Sequence, residues 1–423
     1  MVEAAPLQAG GVQVAAPPVI GGADSVGAAA WRVSRGQTLT LPHPAGIYGP
    51  VDSWIQSAGG ALERARRAMA TAKVDAVFVA SPGLVAFLTG HVVPAYLAYP
   101  SRDGRLEKPA LALVTAEDAV TVAVSPDPAV GLGMPYGEGG RGLADGVAAF
   151  SAVTEVAGGL GLTRGSIAVE AGLVPAAAVD ALRAAAPGAQ LIALDGLLRD
   201  ARMPKSDAEL TELRRAIALC DAGQDAVRAA VAPGVTEGEL YAAAVRAMIA
   251  AAGELVISVG EIQVGVRGAL MMGPPTSAAI AAGELAMSDL APRHPNGWWG
   301  DSCLTVACGE PSAEQRATWR LLRDALEAGR ERLRPGVTAR EVYEAVARHA
   351  GPQPGHAGHG IGRDHFEEPR IAPDDDTPLP ADAVIVLEPG AYDDRQGMRL
   401  EHAFRVTADG GEPLSAFSLE LTA

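Results

Sequence analysis

Aromatic residues make up only 4% of the 423 residues, and cysteine occurs three times, at Cys220, Cys303 and Cys308. So few thiols in so long a chain do not make a disulfide framework, and Cys303 and Cys308 have no partner cysteine or histidine at zinc-finger spacing. Basic charge is also short. There are 34 Lys and Arg against 50 Asp and Glu, a net charge of −16, and lysine occurs only at 73, 108 and 205. A surface this acidic repels phosphate backbones and anionic lipid, so neither nucleic acid nor a membrane is expected as a partner. No run reaches the ~18 apolar residues that a membrane helix needs. The opening MVEAAPLQAGG carries Glu3 and lacks a basic stretch followed by a compact apolar one, so no secretory signal is expected. A reduced, cytoplasmic protein is the simplest reading.

What is present suits a globular enzyme. Apolar residues make up 48% and charged residues 20%, enough apolar surface to offset chain entropy, and the length predicts two or three domains. Residues 1–48, rich in Ala, Gly and Pro, read as an N-terminal extension. From about Val51 the pattern alternates. A helix is expected over Ala61–Ala72 after the Gly59-Gly60 break, a strand over Val74–Ala80, and a turn at Ser81-Pro82-Gly83. Strands are expected at Pro109–Thr115, Val120–Val124, Ile167–Glu170 and Leu191–Leu194, with helices over 142–158 and 174–186. This is an α/β domain over 49–202. Arg199–Asp207 (RDARMPKSD) reads as a polar linker, and a long helix over Ala208–Val231 follows it into a second domain, 203–423.

That second domain contains a repeat. PGVTEGELYAAAVR at 233–246 and PGVTAREVYEAVAR at 335–348 share eight of fourteen positions. Each has a Pro-Gly helix stop, a Thr-x-x-Glu capping box (Thr236/Glu239, Thr338/Glu341) and a helix, and each is preceded by another helix. Strand-like runs follow both copies, at Leu255–Val264 and Ala383–Leu387. Pseudo-two-fold symmetry is the natural consequence.

Four segments of this domain are unusually polar for their apolar surroundings: AMSDL with WWGDSCLTV, GHAGHGIGRDHFEEP, VIVLEPGAY and GMRLEHAFRV. The first pair reads as a hairpin with Asp289 on one arm and Asp301 on the other. Asp289, Asp301, Glu388 and Glu401 each sit in or after an apolar run, where a carboxylate is costly unless paired or bound to metal. Together with a histidine they form an oxygen-rich set suited to two divalent cations.

GHGIG, EEP, EPGAY, GMRLE and the Asp hairpin resemble the Xaa-Pro aminopeptidase, prolidase, creatinase and methionine aminopeptidase superfamily, the pita-bread fold. SPGLVAFLTGH at 81–91 and MPKSDAELTELRRA at 203–216 resemble its prolidase–creatinase branch. The resemblance implies a creatinase-like N-terminal α/β domain followed by a pita-bread catalytic domain with internal pseudo-two-fold symmetry. It implies metal ligands Asp289, Asp301, His359, Glu388 and Glu401, with Asp301 and Glu401 bridging two divalent ions, Asp289 on one, and His359 and Glu388 on the other. Manganese is the first expectation for those ions, with cobalt, iron or zinc as others. Glu388 is expected to handle the proton of a metal-bridging hydroxide, and Arg399 to orient a ligand carboxylate. The activity implied is hydrolysis of a C–N bond in a short peptide or other small substrate.

Two histidine positions of the peptidases differ here. Seventeen residues before Asp289 stands Met272, and seven after His359 stands Phe366. His365 adjoins Phe366, but neighbours on an extended chain point to opposite faces, so it can substitute only if the backbone is shifted. His356 could line the pocket or be structural. Cys303 stands where the family usually has Thr. Trp298 and Trp299 could be pocket wall or core. A non-peptidase metalloenzyme of the same fold (a lyase, an amidohydrolase or metal–oxygen chemistry) is the alternative, and a non-catalytic binding protein a third. The branch implies a homodimer in which His91 or Tyr96 reaches the other subunit's site.

Overall fold

The computed structural model describes residues 29–34, 51–90, 92, 110–123, 153–154, 156–194 and 196–422. His91 and Tyr96 lie outside the described residues, as do most of the expected extension and most of the helix expected over 142–158.

The N-terminal half is a six-stranded sheet in the order β1-β4-β3-β2-β5-β6. Its strands are β1 (Ala29–Ser34), β2 (Ala76–Val79), β3 (Ala110–Thr115), β4 (Asp118–Ala123), β5 (Arg164–Val169) and β6 (Gly188–Ala193). β2, β5 and β6 run parallel, and β1, β4, β3 and β2 are antiparallel. β1 corrects the reading of residues 1–48 as an extension throughout, because Ala29–Ser34 forms an edge of the sheet against β4. α1 (Val51–Ala72) also runs straight through Gly59-Gly60, where a break was expected. Ala61, Leu62, Ala65 and Met69 bury one face of it with Val77, Val79 and Leu88, which outweighs the roughly 1 kcal/mol that each glycine costs a helix. The expected turn at Ser81-Pro82-Gly83 is instead the start of α2 (Pro82–Thr89). The Ser81 side chain accepts the Leu84 amide hydrogen, Pro82 is preset for the first helical turn, and Gly90 closes the helix at φ 75°. α3 (Ala176–Ala185) covers the other face with Phe78, Leu113 and Ile167.

The segment expected to be a linker is ordered. α4 (Arg199–Arg202) is followed by an isolated bridge from Pro204 to Ala383. Lys205 is only 5% exposed. Its Nζ lies 3.0 Å from Glu367 Oε2, and Arg202 Nη2 lies 2.6 Å from Glu367 Oε1 and 2.7 Å from Asp364 Oδ2. This network ties the entry into the second half to the turn at 363–367.

The second half repeats itself. α5 (Asp207–Ala230) and α6 (Glu237–Ala252) pair, as do α7 (Ala313–Arg332) and α8 (Ala339–Ala350). Capping boxes at Thr236/Glu239 and Thr338/Glu341 start α6 and α8 as the repeat predicts. The symmetry extends to the backbone. Gly234 N–H donates to Ile280 O at 2.8 Å and Gly336 N–H to Leu379 O at 2.8 Å. Glu237 N–H donates to Ala278 O and Ala339 N–H to Thr377 O, both at 3.0 Å. One half carries the sheet β7-β8-β9 (Ile257–Val264, Leu285–Arg293, Ser302–Ala307). The other carries β11-β10-β12-β15-β16 (Glu367–Arg370, Gly358–Gly360, Val384–Leu387, His402–Thr407, Gly410–Pro413). The hairpin of β13 (Gly390–Tyr392) and β14 (Gly397–Arg399) joins them, and an isolated bridge pairs Cys303 with Glu401. Every polar segment singled out above lies on the strands or turns where these sheets meet.

Candidate metal centre

Asp289 lies on β8, opposite Cys303 of β9 and opposite Glu261 of β7. Asp301 immediately precedes β9. Glu401 follows β14 and donates its amide hydrogen to Cys303 O at 2.9 Å. Glu388 follows β12, with its amide hydrogen on Ala357 O at 2.9 Å. His359 is the middle residue of β10, between Val386 and Arg370. Five short-range features therefore converge only because two sheets meet edge to edge.

The side chains close the circle. His359 Nε2 is 3.3 Å from Asp301 Oδ2 and 3.8 Å from Glu388 Oε1. Its Nδ1 lies 2.8 Å from Gly360 O. A carbonyl can only accept, so Nδ1 donates to it and Nε2 is the ring atom turned toward the carboxylates. His365 Nε2 reaches Asp301 Oδ2 at 2.8 Å, and His356 Nδ1 lies 3.1 Å from Glu388 Oε1. Arg399 Nη2 is 2.7 Å from Asp289 Oδ2 and Nη1 3.5 Å from Glu388 Oε2. Donor atoms fall into three groups, each within 4.8 Å: Asp301–His359–His365, Asp289–Cys303–Glu401 and His359–Glu388–Glu401.

The electrostatics are those of a site short of positive charge. Burial, then the neighbouring Asp301, Glu388 and Asp289, push Glu401 well above the usual carboxylate range. Burial raises Asp289 to about 7 despite Arg399. Burial would also raise Asp301 and Glu388, but His365 and His359 beside Asp301, and His356 beside Glu388, hold both below their ordinary values. Four largely buried carboxylates thus face the Arg399 guanidinium and the His365 ring, which, against its burial, Asp301 raises to about 9, and Glu401 Oε2, buried, has no hydrogen-bond partner. Divalent cations would supply the missing charge and occupy the unused lone pair, so the residues present fit such ions.

Comparisons with known proteins agree with this chemistry. Residues 211–408 match the model of metallopeptidase family M24, and residues 62–204 match that of the creatinase/prolidase N-terminal domain. The chain belongs to the prolidase–creatinase branch of family M24. An Xaa-Pro dipeptidase of Pyrococcus horikoshii is 27% identical over 264 residues, covering 60% of this chain and 74% of that protein. A probable dipeptidase PepE of Mycobacterium bovis is 32% identical over 222 residues, covering 51% and 59%. Among solved structures, an Xaa-Pro dipeptidase from Bacillus anthracis superposes with a TM-score of 0.71 at 23% identity, covering 86% of this chain and 99% of that one. Dipeptidase PepE from Mycobacterium ulcerans gives 0.69 at 25%, covering 89% and 100%. The expected family, fold and metal-dependent hydrolase class stand, and the non-peptidase alternative is not favoured by these relatives.

Within this M24 frame the structure brings Asp289, Asp301, His359, Glu388, Glu401, Arg399, His356 and His365 together. His365 departs from the expected geometry. Residues 362–366 form a bent turn rather than a strand, so the alternation of strand side chains does not apply. Both His365 and Phe366 turn toward His359, Phe366 stacking on it at 3.9 Å between ring centroids. Arg399 is a buried member of the cluster rather than a strand-surface residue. The tryptophan pair divides: Trp298 is 2% exposed in the core with Leu213 and Ile361, and Trp299 stacks on His365 at 5.4 Å. Met272 is largely exposed, beside Met271, whose carbonyl accepts from Arg399 Nη2 at 3.3 Å.

One residue of the cluster escaped the sequence reading. Glu261, in the run ISVGEIQV, faces Asp289 across the ladder and lies 4.0 Å from Arg399 Nη2. Burial raises it above the ordinary carboxylate range. The signal was a carboxylate inside an apolar strand, the same one that marks Asp289.

Proposed function

We propose that this chain is a metal-dependent dipeptidase that hydrolyses a C–N bond in short peptides, with Xaa-Pro dipeptides as the first substrate class. The observation that carries the reading is the gathering of Asp289, Asp301, His359, Glu388 and Glu401 into overlapping groups of donor atoms, with Glu401 Oε2 buried and unpartnered. Asp289, Asp301, His359, Glu388 and Glu401 would hold the divalent ions. Such ions, when bound, would polarise the scissile carbonyl and lower the pKa of attacking water.

The chain's own groups supply the rest. Glu388 takes the proton from the attacking water and delivers it to the leaving amine. His356, against Glu388 Oε1, orients that carboxylate. Arg399 holds Asp289 and Glu388 in place. His365, on the open side of the site and braced by Trp299, donates a hydrogen bond to the substrate carbonyl oxygen. Phe366, stacked on His359, gives the substrate an apolar wall. Manganese suits a carboxylate-dominated set of five, and cobalt, iron and zinc fit it too. We also assign a domain boundary between 202 and 203, a cytoplasmic location and a homodimer. Among the described residues no helix is long and apolar enough to cross a membrane.

The test is metal content together with hydrolysis of Xaa-Pro dipeptides and tripeptides before and after adding Mn²⁺. About two ions per chain and Xaa-Pro dipeptide cleavage support the reading. Metal bound with no peptide cleaved overturns the substrate, and no metal bound overturns the centre.

A further inference from the structure

The Asp289 end of the site contains a donor that none of the five expected ligands accounts for. Cys303 stands opposite Asp289 in the β8–β9 ladder, and its carbonyl accepts the Glu401 amide hydrogen at 2.9 Å. Its Sγ, a carboxylate oxygen of Asp289 and one of Glu401 lie within 4.8 Å of one another. Side chains alternate along β9, so Asp301, Cys303 and Thr305 share a face. Thr305 Oγ1 donates to Arg399 O at 2.9 Å and accepts from Arg399 N at 3.1 Å, which pins residues 399–401 against that face. Glu401 is 1% exposed and its Oε2 has no partner. A fully buried thiol therefore stands within reach of the Asp289 and Glu401 carboxylates, and Glu401 keeps one buried oxygen unpaired.

We propose that Cys303 is a third protein donor at the position held by Asp289 and Glu401, binding as the thiolate, and that it makes this position prefer cobalt, iron(II) or zinc over manganese. The proposal rests on the metal-centre reading above. On binding, the S–H bond breaks, its proton leaves to solvent, and the sulfur lone pair forms the bond to the cation with no change of oxidation state. A thiolate is softer than a carboxylate, and softness is what separates these ions from manganese. The other thiols cannot take its place. Cys220 Sγ points at Leu290 O, 3.8 Å away, and Cys308 lies in the core with Ile280 and Ala286.

The experiment uses the full-length chain stripped of metal and titrated with cobalt(II), read by absorption and by competition against manganese in equilibrium dialysis. The expected result is a thiolate-to-cobalt charge-transfer band in the near ultraviolet. That band disappears in Cys303→Ser and Cys303→Thr while the visible ligand-field bands remain. The cobalt-over-manganese preference should fall about tenfold or more in both variants, at least what a supporting residue contributes. Cobalt bound by the unaltered chain without the band overturns the proposal, as does a band that persists in Cys303→Ser, and the metal-centre reading survives both. No cobalt bound at all overturns both. The spectrum of the unaltered chain decides the matter even if neither variant folds.

Discussion

His365 Nε2 lies 2.8 Å from Asp301 Oδ2, the same oxygen that His359 Nε2 approaches at 3.3 Å. Two imidazoles from one short segment thus share one carboxylate oxygen, one ring deep in the β10 ladder and the other on the open turn that follows. The buried ring is suited to holding a cation and the open one to meeting substrate. Removing each should therefore have a different signature. His365→Ala is expected to lower kcat/KM about 10²–10³-fold, the usual loss for one donor to a developing oxyanion, with metal content unchanged. Parallel metal analysis and steady-state kinetics check this.

Asp301→Ala should abolish both bound metal and hydrolysis, because the carboxylate is proposed as a ligand and stands in one donor group with His359. Metal analysis of the purified variant is the measurement. If metal content and activity both survive, the site has been placed wrongly.

Trp298 and Trp299 are adjacent yet should behave as unrelated residues. Trp298 is among the largest fully buried side chains, and Trp298→Ala is expected to cost about 3–5 kcal/mol of stability by denaturant titration. Trp299→Ala removes the ring stacked on His365, so it should chiefly lower kcat/KM and leave the denaturation midpoint much less changed.

The Lys205–Glu367–Arg202 network holds the turn that carries His365. Lys205→Met leaves Glu367 buried with Arg202 as its remaining cation and is expected to destabilise the fold by about 1–3 kcal/mol. Chemical denaturation checks it, and Lys205→Arg should recover part of the loss.

The same network gives the protein an acid limit. Burial alone would raise Glu367, but Arg202 and Lys205 override it and hold the carboxyl at about 2, below its ordinary 4.5. A carboxylate depressed on folding stabilises the native state above its unfolded pKa and loses that contribution as pH falls through the folded value. Roughly 3 kcal/mol of stability should therefore disappear between about pH 5 and pH 2. Denaturation midpoints across that range should show a shallower decline in Glu367→Gln, which has no proton to take up.

Much of this was legible in local pattern. The Thr-x-x-Glu boxes at 236–239 and 338–341 mark their helix starts, because a cap is satisfied by residues three apart whatever the rest of the chain does. Asp289, Asp301, Glu388 and Glu401 stood out because a carboxylate in an apolar run requires an explanation, and Glu261 carried the same mark unnoticed. The Gly59-Gly60 helix break and the Ser81 turn were misread for the opposite reason. Local propensity there amounts to about 1 kcal/mol, and packing of Met69, Leu84 and Leu88 against the sheet exceeds it.

The sequence by itself determined the branch, the repeat and the chemical character of the centre, since residue type and short spacing carry all three. Tertiary structure alone decided which atoms meet. The inward turn of His365, the division of the two tryptophans, the buried ion network at Lys205 and the approach of Cys303 to Asp289 and Glu401 all depend on contacts between segments far apart in the chain. Such contacts are set by how two sheets pack edge to edge, and no periodicity within either sheet encodes that.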